Sequence, residues 1–241
     1  MLEWYADSGG GEYNGSPGNL PGTGLTPSNV QGSISQASQE QAHSGSWSAK
    51  LSIPGTGAVR LWRWQESLRN NELYYSVWYF VPQRYTVNAG GWTDWFFYKS
   101  TTPGGKNDPF FLMGWQNTAS GGMQLNLYWW QSAATEGPFP GTGGPRTWVS
   151  PIELPIGRWF QLEARYVCAG DFTGAIQVWQ DGVEIFKLEG IRTRYPNGDC
   201  RWAISNYGEK ISPAPVVIYA DDAVVSTARV GPMSARTGSG S

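Results

Sequence analysis

One histidine, two cysteines and an unusual number of aromatic rings are the raw material for chemistry in this 241-residue chain. His43 is the sole imidazole, which excludes a metal centre built from several histidines. It lies in Ala42-His43-Ser44-Gly45-Ser46, a polar turn, and no Gly-x-Ser-x-Gly elbow accompanies it. A serine triad is therefore not expected. No phosphate loop or dinucleotide fingerprint occurs. A retaining glycosidase needs two carboxyl groups roughly 5 Å apart. No Glu-x-Asp-x-x-Glu run supplies them, and Glu66 with Asp94 is the one acid pair that strands could bring together.

The rings are more telling. Fourteen Trp, twelve Tyr and nine Phe sit among 32 Gly and 16 Pro, while charged residues make up 15%. Many fall in runs: 61–64, 74–80, 92–98 and 127–130. One core cannot hold that much indole, so part of it must line a surface. A row of flat rings with few charges suits stacking on sugars. Trp62, Trp64, Trp78, Trp95, Trp115 and Trp129 are the candidate platforms, with Trp130 beside them.

Strands must position these rings. Helical periodicity is nearly absent, and apolar alternation recurs between Gly, Pro, Asn and Asp. The pattern predicts strands over 46–53, 58–66, 73–81, 92–100, 109–116, 123–131, 158–168, 174–180, 183–188, 201–207 and 216–226. Asp181-Gly182 between two of them is a hairpin signal. Residues 8–36 and 137–146 read as loops. The spacing indicates a single all-β domain over 1–232, a two-sheet antiparallel jelly roll, with 233–241 a flexible tail. Alternation puts Asp94, Phe96 and Tyr98 on one face of their strand and Thr93, Trp95, Phe97 and Lys99 on the other. One face builds the core; the other is expected to form a concave aromatic groove.

The bulk numbers narrow the partners. A net charge of −2 with no basic cluster argues against nucleic acid. No run of about 18 apolar residues could span a membrane. Nothing predicts a coiled coil or a long apolar edge, so a monomer is expected. Cys168 and Cys200 flank a predicted hairpin; a disulfide closing that segment is one reading, two buried thiols the other. The Trp-rich, low-Lys composition favours secretion.

Two segments carry a resemblance. The run 43–51, His-Ser-Gly-Ser-Trp-Ser-Ala-Lys-Leu, resembles the opening turn and strand of many jelly-roll carbohydrate proteins. The run 218–225, Ile-Tyr-Ala-Asp-Asp-Ala-Val-Val, resembles their closing strand. Together with 154–163 and 174–182, this order is similar to concanavalin-A-like polysaccharide lyases of the heparin lyase I, glucuronan lyase and alginate lyase group. Non-catalytic carbohydrate-binding modules share the same motifs.

The resemblance implies a role for Tyr207, which matches the catalytic tyrosine of a late strand in those lyases. The chemistry would be β-elimination, in which the proton α to a uronate carboxylate is removed and the 4-linked oxygen leaves. A tyrosine, ordinarily titrating near 10, serves as base only beside cations. Lys99, in a position like the Phe-x-x-Lys of the family's groove strand, and Arg63 are the leading candidates, with Arg201 and Lys210 behind them. Asn206, Gln116 and Gln131 could polarise the carboxylate. Asp221-Asp222 matches an acidic pair that in many jelly rolls holds a structural Ca²⁺ with groups from the N-terminal segment, here Asp7, Glu3 or Glu12.

Three readings follow. A polysaccharide lyase needs Tyr207 and a cation to converge on one surface. A carbohydrate-binding module needs only the ring platform. A glycoside hydrolase needs the Glu66–Asp94 pair. The partner in each case is a polysaccharide.

Overall fold

A computed structural model describes residues 4–8, 32–63, 72–101, 107–129, 138–141 and 146–232, with backbone alone for 4–8, 62, 63, 101 and 107–109. The predicted tail, the 9–31 part of the first loop (Glu12 with it), Glu3, Trp64, Glu66, Trp130 and Gln131 lie outside the described residues.

The early strands are β1 (Trp4–Ser8), β2 (Ile34–Ser38), β3 (Ser48–Ile53), β4 (Gly57–Arg63) and β5 (Glu72–Phe80). Next come β6 (Thr86–Thr101), β7 (Asn107–Asn117), β8 (Met123–Trp129), β9 (Arg146–Glu153) and β10 (Trp159–Val167). The last are β11 (Gly174–Gln180), β12 (Val183–Ile191), β13 (Arg201–Ser212) and β14 (Val216–Ser226). They form two seven-stranded sheets. The front sheet runs β1-β4-β13-β6-β7-β8-β9; the back sheet runs β12-β11-β10-β5-β14-β3-β2. Every pairing is antiparallel. The fold is the expected all-β jelly-roll sandwich.

The core lies between the sheets and is largely aromatic. Tyr98 of the front sheet stacks on Tyr166 of the back, centroids 3.7 Å apart and planes 12° from parallel. Tyr75 meets Trp202 at 5.0 Å. The Tyr79 hydroxyl crosses from β5 to donate to the Trp95 carbonyl at 3.0 Å. The Tyr79 hydroxyl thereby keeps a partner inside the core. Each buried side chain of this size contributes about 2–3 kcal/mol through lost water contact.

Asp181 and Gly182 both have positive φ, 49° and 80°, as a two-residue hairpin turn requires. Cys168, just after β10, is bonded to Cys200, just before β13. The bridge therefore ties the back sheet to the front sheet and resolves the cysteine question.

Three strands escaped the sequence pattern. β1 and β2 are five residues each and sit in turn-rich sequence. β9 has little apolar alternation and contains Pro151, which an edge strand tolerates because its outer N–H side needs no partner. β6 is longer than predicted because its first turn-like residues pair with the end of β13, Val87 opposite Ile211.

Candidate functional site

A β-bulge decides which side chains reach the outer face of the front sheet. On β13 the pairing with β6 passes from Ile204↔Phe96 to Tyr207↔Asp94, so two residues, Ser205 and Asn206, oppose Trp95 alone. Bulges reset alternation across the break. Trp95 and Phe96 consequently both enter the core. Asp94 moves to the outer face, where it shares a side with Tyr207, Phe97 and Lys99. The plain alternation read from sequence, which grouped Asp94 with Phe96 and Tyr98, is corrected here.

The outer face on β4, β13 and β6 gathers four groups capable of chemistry. Val59 and Leu61 point into the core, so Arg60 between them points out. Its guanidinium lies 4.3 Å from the Tyr207 ring centroid and 5.8 Å from that of Phe97. The Lys99 ammonium sits 5.9 Å from the same Phe97 ring. Arg201 is directly opposite Lys99 in the strand register. Tyr207 is half-buried, while Arg60, Asp94 and Lys99 are buried beneath their neighbours.

Asp94 is the electrostatic centre of this cluster. Burial drives its pKa up from the ordinary carboxylate value to about 8, against the opposing pull of the Arg60 and Lys99 charges. At that value its carboxyl is protonated at neutral pH. Its main-chain carbonyl accepts from the Ser205 hydroxyl at 2.6 Å, which locks the bulge in place.

Farther along the sheet the outer face turns polar but uncharged. β8 alternates strictly, with Met123, Leu125, Leu127 and Trp129 in the core and Gln124, Asn126 and Tyr128 half-buried outside. The Asn126 amide reaches Gln116 at 3.5 Å. Gly114 beside them cannot carry a side chain, because a Cβ there would stand 2.0 Å from the Thr93 carbonyl oxygen.

The structure sorts the sequence-derived candidates as follows. Tyr207 and Lys99 lie on the same outer face, five residues apart along the register, and Gln116 shares that face. Trp95, Trp115 and Trp129 are not platforms: they are at most 3% exposed and pack in the core. Asn206 is also internal, its amide donating to the Leu51 and Val216 carbonyls at 3.0 and 2.9 Å. It bolts the two sheets together and has no access to a ligand. Trp78 belongs to the back sheet, where His43 stacks on it at 3.8 Å. Trp62 and Arg63 are on β4 with undescribed side chains, and Trp64 lies outside the described residues. Arg60, Trp92, Asn126 and Tyr128 were missed as site residues. For Arg60 the available signal was an arginine alternating with Val59 and Leu61.

Asp221 and Asp222 tie the closing strand to the turn that opens β3. Asp221 accepts from the main-chain N–H groups of His43, Ser44 and Asp222, at 2.8, 3.3 and 2.8 Å. Asp222 pairs with His43 Nδ1 and the Ser44 hydroxyl, both at 2.6 Å. All four carboxylate oxygens face donors. Asp7 is on β1 of the opposite sheet. Among the described residues no cluster of three His, Cys, Asp or Glu could hold a metal. The pair clamps the 39–47 turn over Trp78.

No known protein family and no curated protein matches the sequence. Solved structures do match the fold. A β-1,4-glucuronan lyase from the fungus Trichoderma reesei superimposes with a TM-score of 0.66 at 13% identity, covering 92% of this chain and 95% of that one. An alginate lyase from a Chlorella virus gives 0.55 at 16%, covering 80% and 90%. A cellulose-induced protein gives 0.53 at 19%, covering 83% and 88%. The chain has the jelly-roll fold of this polysaccharide lyase group.

Proposed function

We propose that this chain is a polysaccharide lyase that cleaves a uronate-containing glycan by β-elimination on the outer face of its front sheet. The observation that carries the reading is the Arg60 guanidinium against the Tyr207 ring on that face, with Asp94 opposite Tyr207 and Lys99 farther along the same strand. The names of the fold neighbours, glucuronan lyase and alginate lyase, point to the same reaction class.

The steps follow from the groups present. The uronate carboxylate settles against Arg60 and Lys99, whose charges also stabilise the enediolate that forms when the α-proton leaves. The Tyr207 oxygen takes that proton. The electron pair left on carbon becomes the new C4–C5 double bond, the C4–O bond breaks, and the departing oxygen collects a proton from Tyr207. Arg60 takes the part first assigned to Arg63. Gln116 and Asn126 orient sugar hydroxyls farther along the face. The disulfide fits an oxidising, extracellular setting.

A second reading, a non-catalytic carbohydrate-binding module, uses the same face and draws on Trp92, which is exposed beside Tyr207. The deciding experiment is ultraviolet absorbance of the unsaturated product on glucuronan, alginate and heteroglycans that join uronate to neutral sugar. A rise that vanishes in Tyr207→Phe supports the lyase. Binding with no rise on any uronate polymer supports the module.

A further inference from the structure

We infer that Trp92 and Glu209 form a subsite for an uncharged sugar, one step along the glycan from the uronate held at Tyr207. The inference rests on the lyase reading for the position of that uronate.

Trp92 is 39% exposed, unlike the tryptophans packed in the core. Its ring meets the Tyr207 ring edge-on, centroids 4.4 Å apart at 84°. It lies two residues before Asp94 on the same strand, about 7 Å along it. That distance is close to one sugar ring. The platform is therefore adjacent to the reacting centre and displaced by a single subsite.

Glu209 sets its chemistry. It is the direct cross-strand partner of Trp92 and fixes the indole by accepting its N–H at 3.2 Å. A carboxylate only accepts hydrogen bonds. The lone pairs left over suit the vicinal hydroxyls of a neutral pyranose whose apolar face lies on the indole. The same charge repels a second carboxylate. The nearby Lys210 ammonium lies against Gly90. The contrast with Arg60 and Lys99 gives the surface a charge order: an anion at Tyr207, a neutral ring beside it. The substrate class is a heteroglycan in which uronate adjoins neutral sugar, rather than a uronate homopolymer.

The test is calorimetric binding to Tyr207→Phe protein, which keeps the ring contact and prevents turnover. The probes are a hexasaccharide alternating glucuronate with glucose, and hexaglucuronate. The alternating probe is expected to bind more tightly. Trp92→Ala should weaken it about tenfold, the scale of one lost ring contact, and Trp92→Phe should restore most of the loss. Glu209→Gln should improve hexaglucuronate binding and narrow the difference. The inference is overturned if the alternating probe binds no more tightly than hexaglucuronate, or if Trp92→Ala leaves its affinity unchanged. Because the readout is binding, a chain without lyase activity can still pass or fail it; the absorbance assay judges the lyase reading separately.

Discussion

The Arg60 guanidinium stands 4.3 Å from the centre of the Tyr207 ring, on the strand next to it. A cation against that ring adjoins the residue proposed to move the proton. Tyr207→Phe is expected to lower kcat by roughly 10²- to 10⁴-fold with little change in KM. Arg60→Met should lower kcat and raise KM together, since it removes charge from both the bound and the reacting states. Arg60→Lys should fall between, because an ammonium lacks the planar fork. Steady-state kinetics of the three variants check the division.

Asp94 makes stability depend on pH with a definite sign. Its folded pKa, about 8, lies above the ordinary 3.8. Below the ordinary value the group is protonated in both states and costs nothing. Between the two values the folded protein keeps a proton that the unfolded chain releases, so stability falls progressively as pH rises. Its contribution falls by at most about 1.4 kcal/mol per pH unit and levels off above about pH 8. Denaturant unfolding across that window should show the decline, and Asp94→Asn should flatten it.

Asp221 and Asp222 are predicted to act without calcium. Adding a chelator should leave Tm unchanged, because hydrogen-bond donors already face all four carboxylate oxygens. Asp222→Ala should cost about 1–2 kcal/mol by releasing His43 and Ser44. A chelator-induced drop in Tm would contradict this and restore the calcium expectation for the acidic pair.

The Cys168–Cys200 bridge closes a loop with a sequence separation of 32. Chain entropy assigns such a loop roughly 4 kcal/mol. For a protein of this size that corresponds to a fall in Tm of roughly 10 °C on reduction. Calorimetry with and without reductant measures it.

Gly114 is predicted to reject any side chain. Gly114→Ala would drive a methyl group into the Thr93 carbonyl, at a cost of about 1–3 kcal/mol for overpacking. The change should register in thermal unfolding before it registers in affinity.

Much of the sandwich was readable because its strands carry strong apolar alternation and sharp turn residues. β11 and β14 match their predicted limits, and Asp181-Gly182 forms its turn. β9 was hidden because an edge strand owes its pairing to a neighbour and not to its own pattern. The site was less legible. Tyr207 and Lys99 were proposed through a family likeness, and both lie on the outer face. Trp95, Trp115 and Trp129 were misplaced because indole suits a core and a sugar platform equally well. Trp115 and Trp129 went inward because they share a side with Met113 and Leu127. Asp94 was misassigned because alternation carries no sign of a bulge, which arises from two strands and belongs to neither.

That bulge acts as punctuation in the chain's spatial grammar. Removing one residue between Ile204 and Tyr207 would shift the reading frame of the strand pair without altering a single residue of β6. The carboxyl of Asp94 would face inward and an indole would take its place outside. Two chains with the same side chains on β6 could then present different surfaces to a glycan. When this fold diverges, a one-residue gap at this point in β13 should matter more to activity than many substitutions elsewhere.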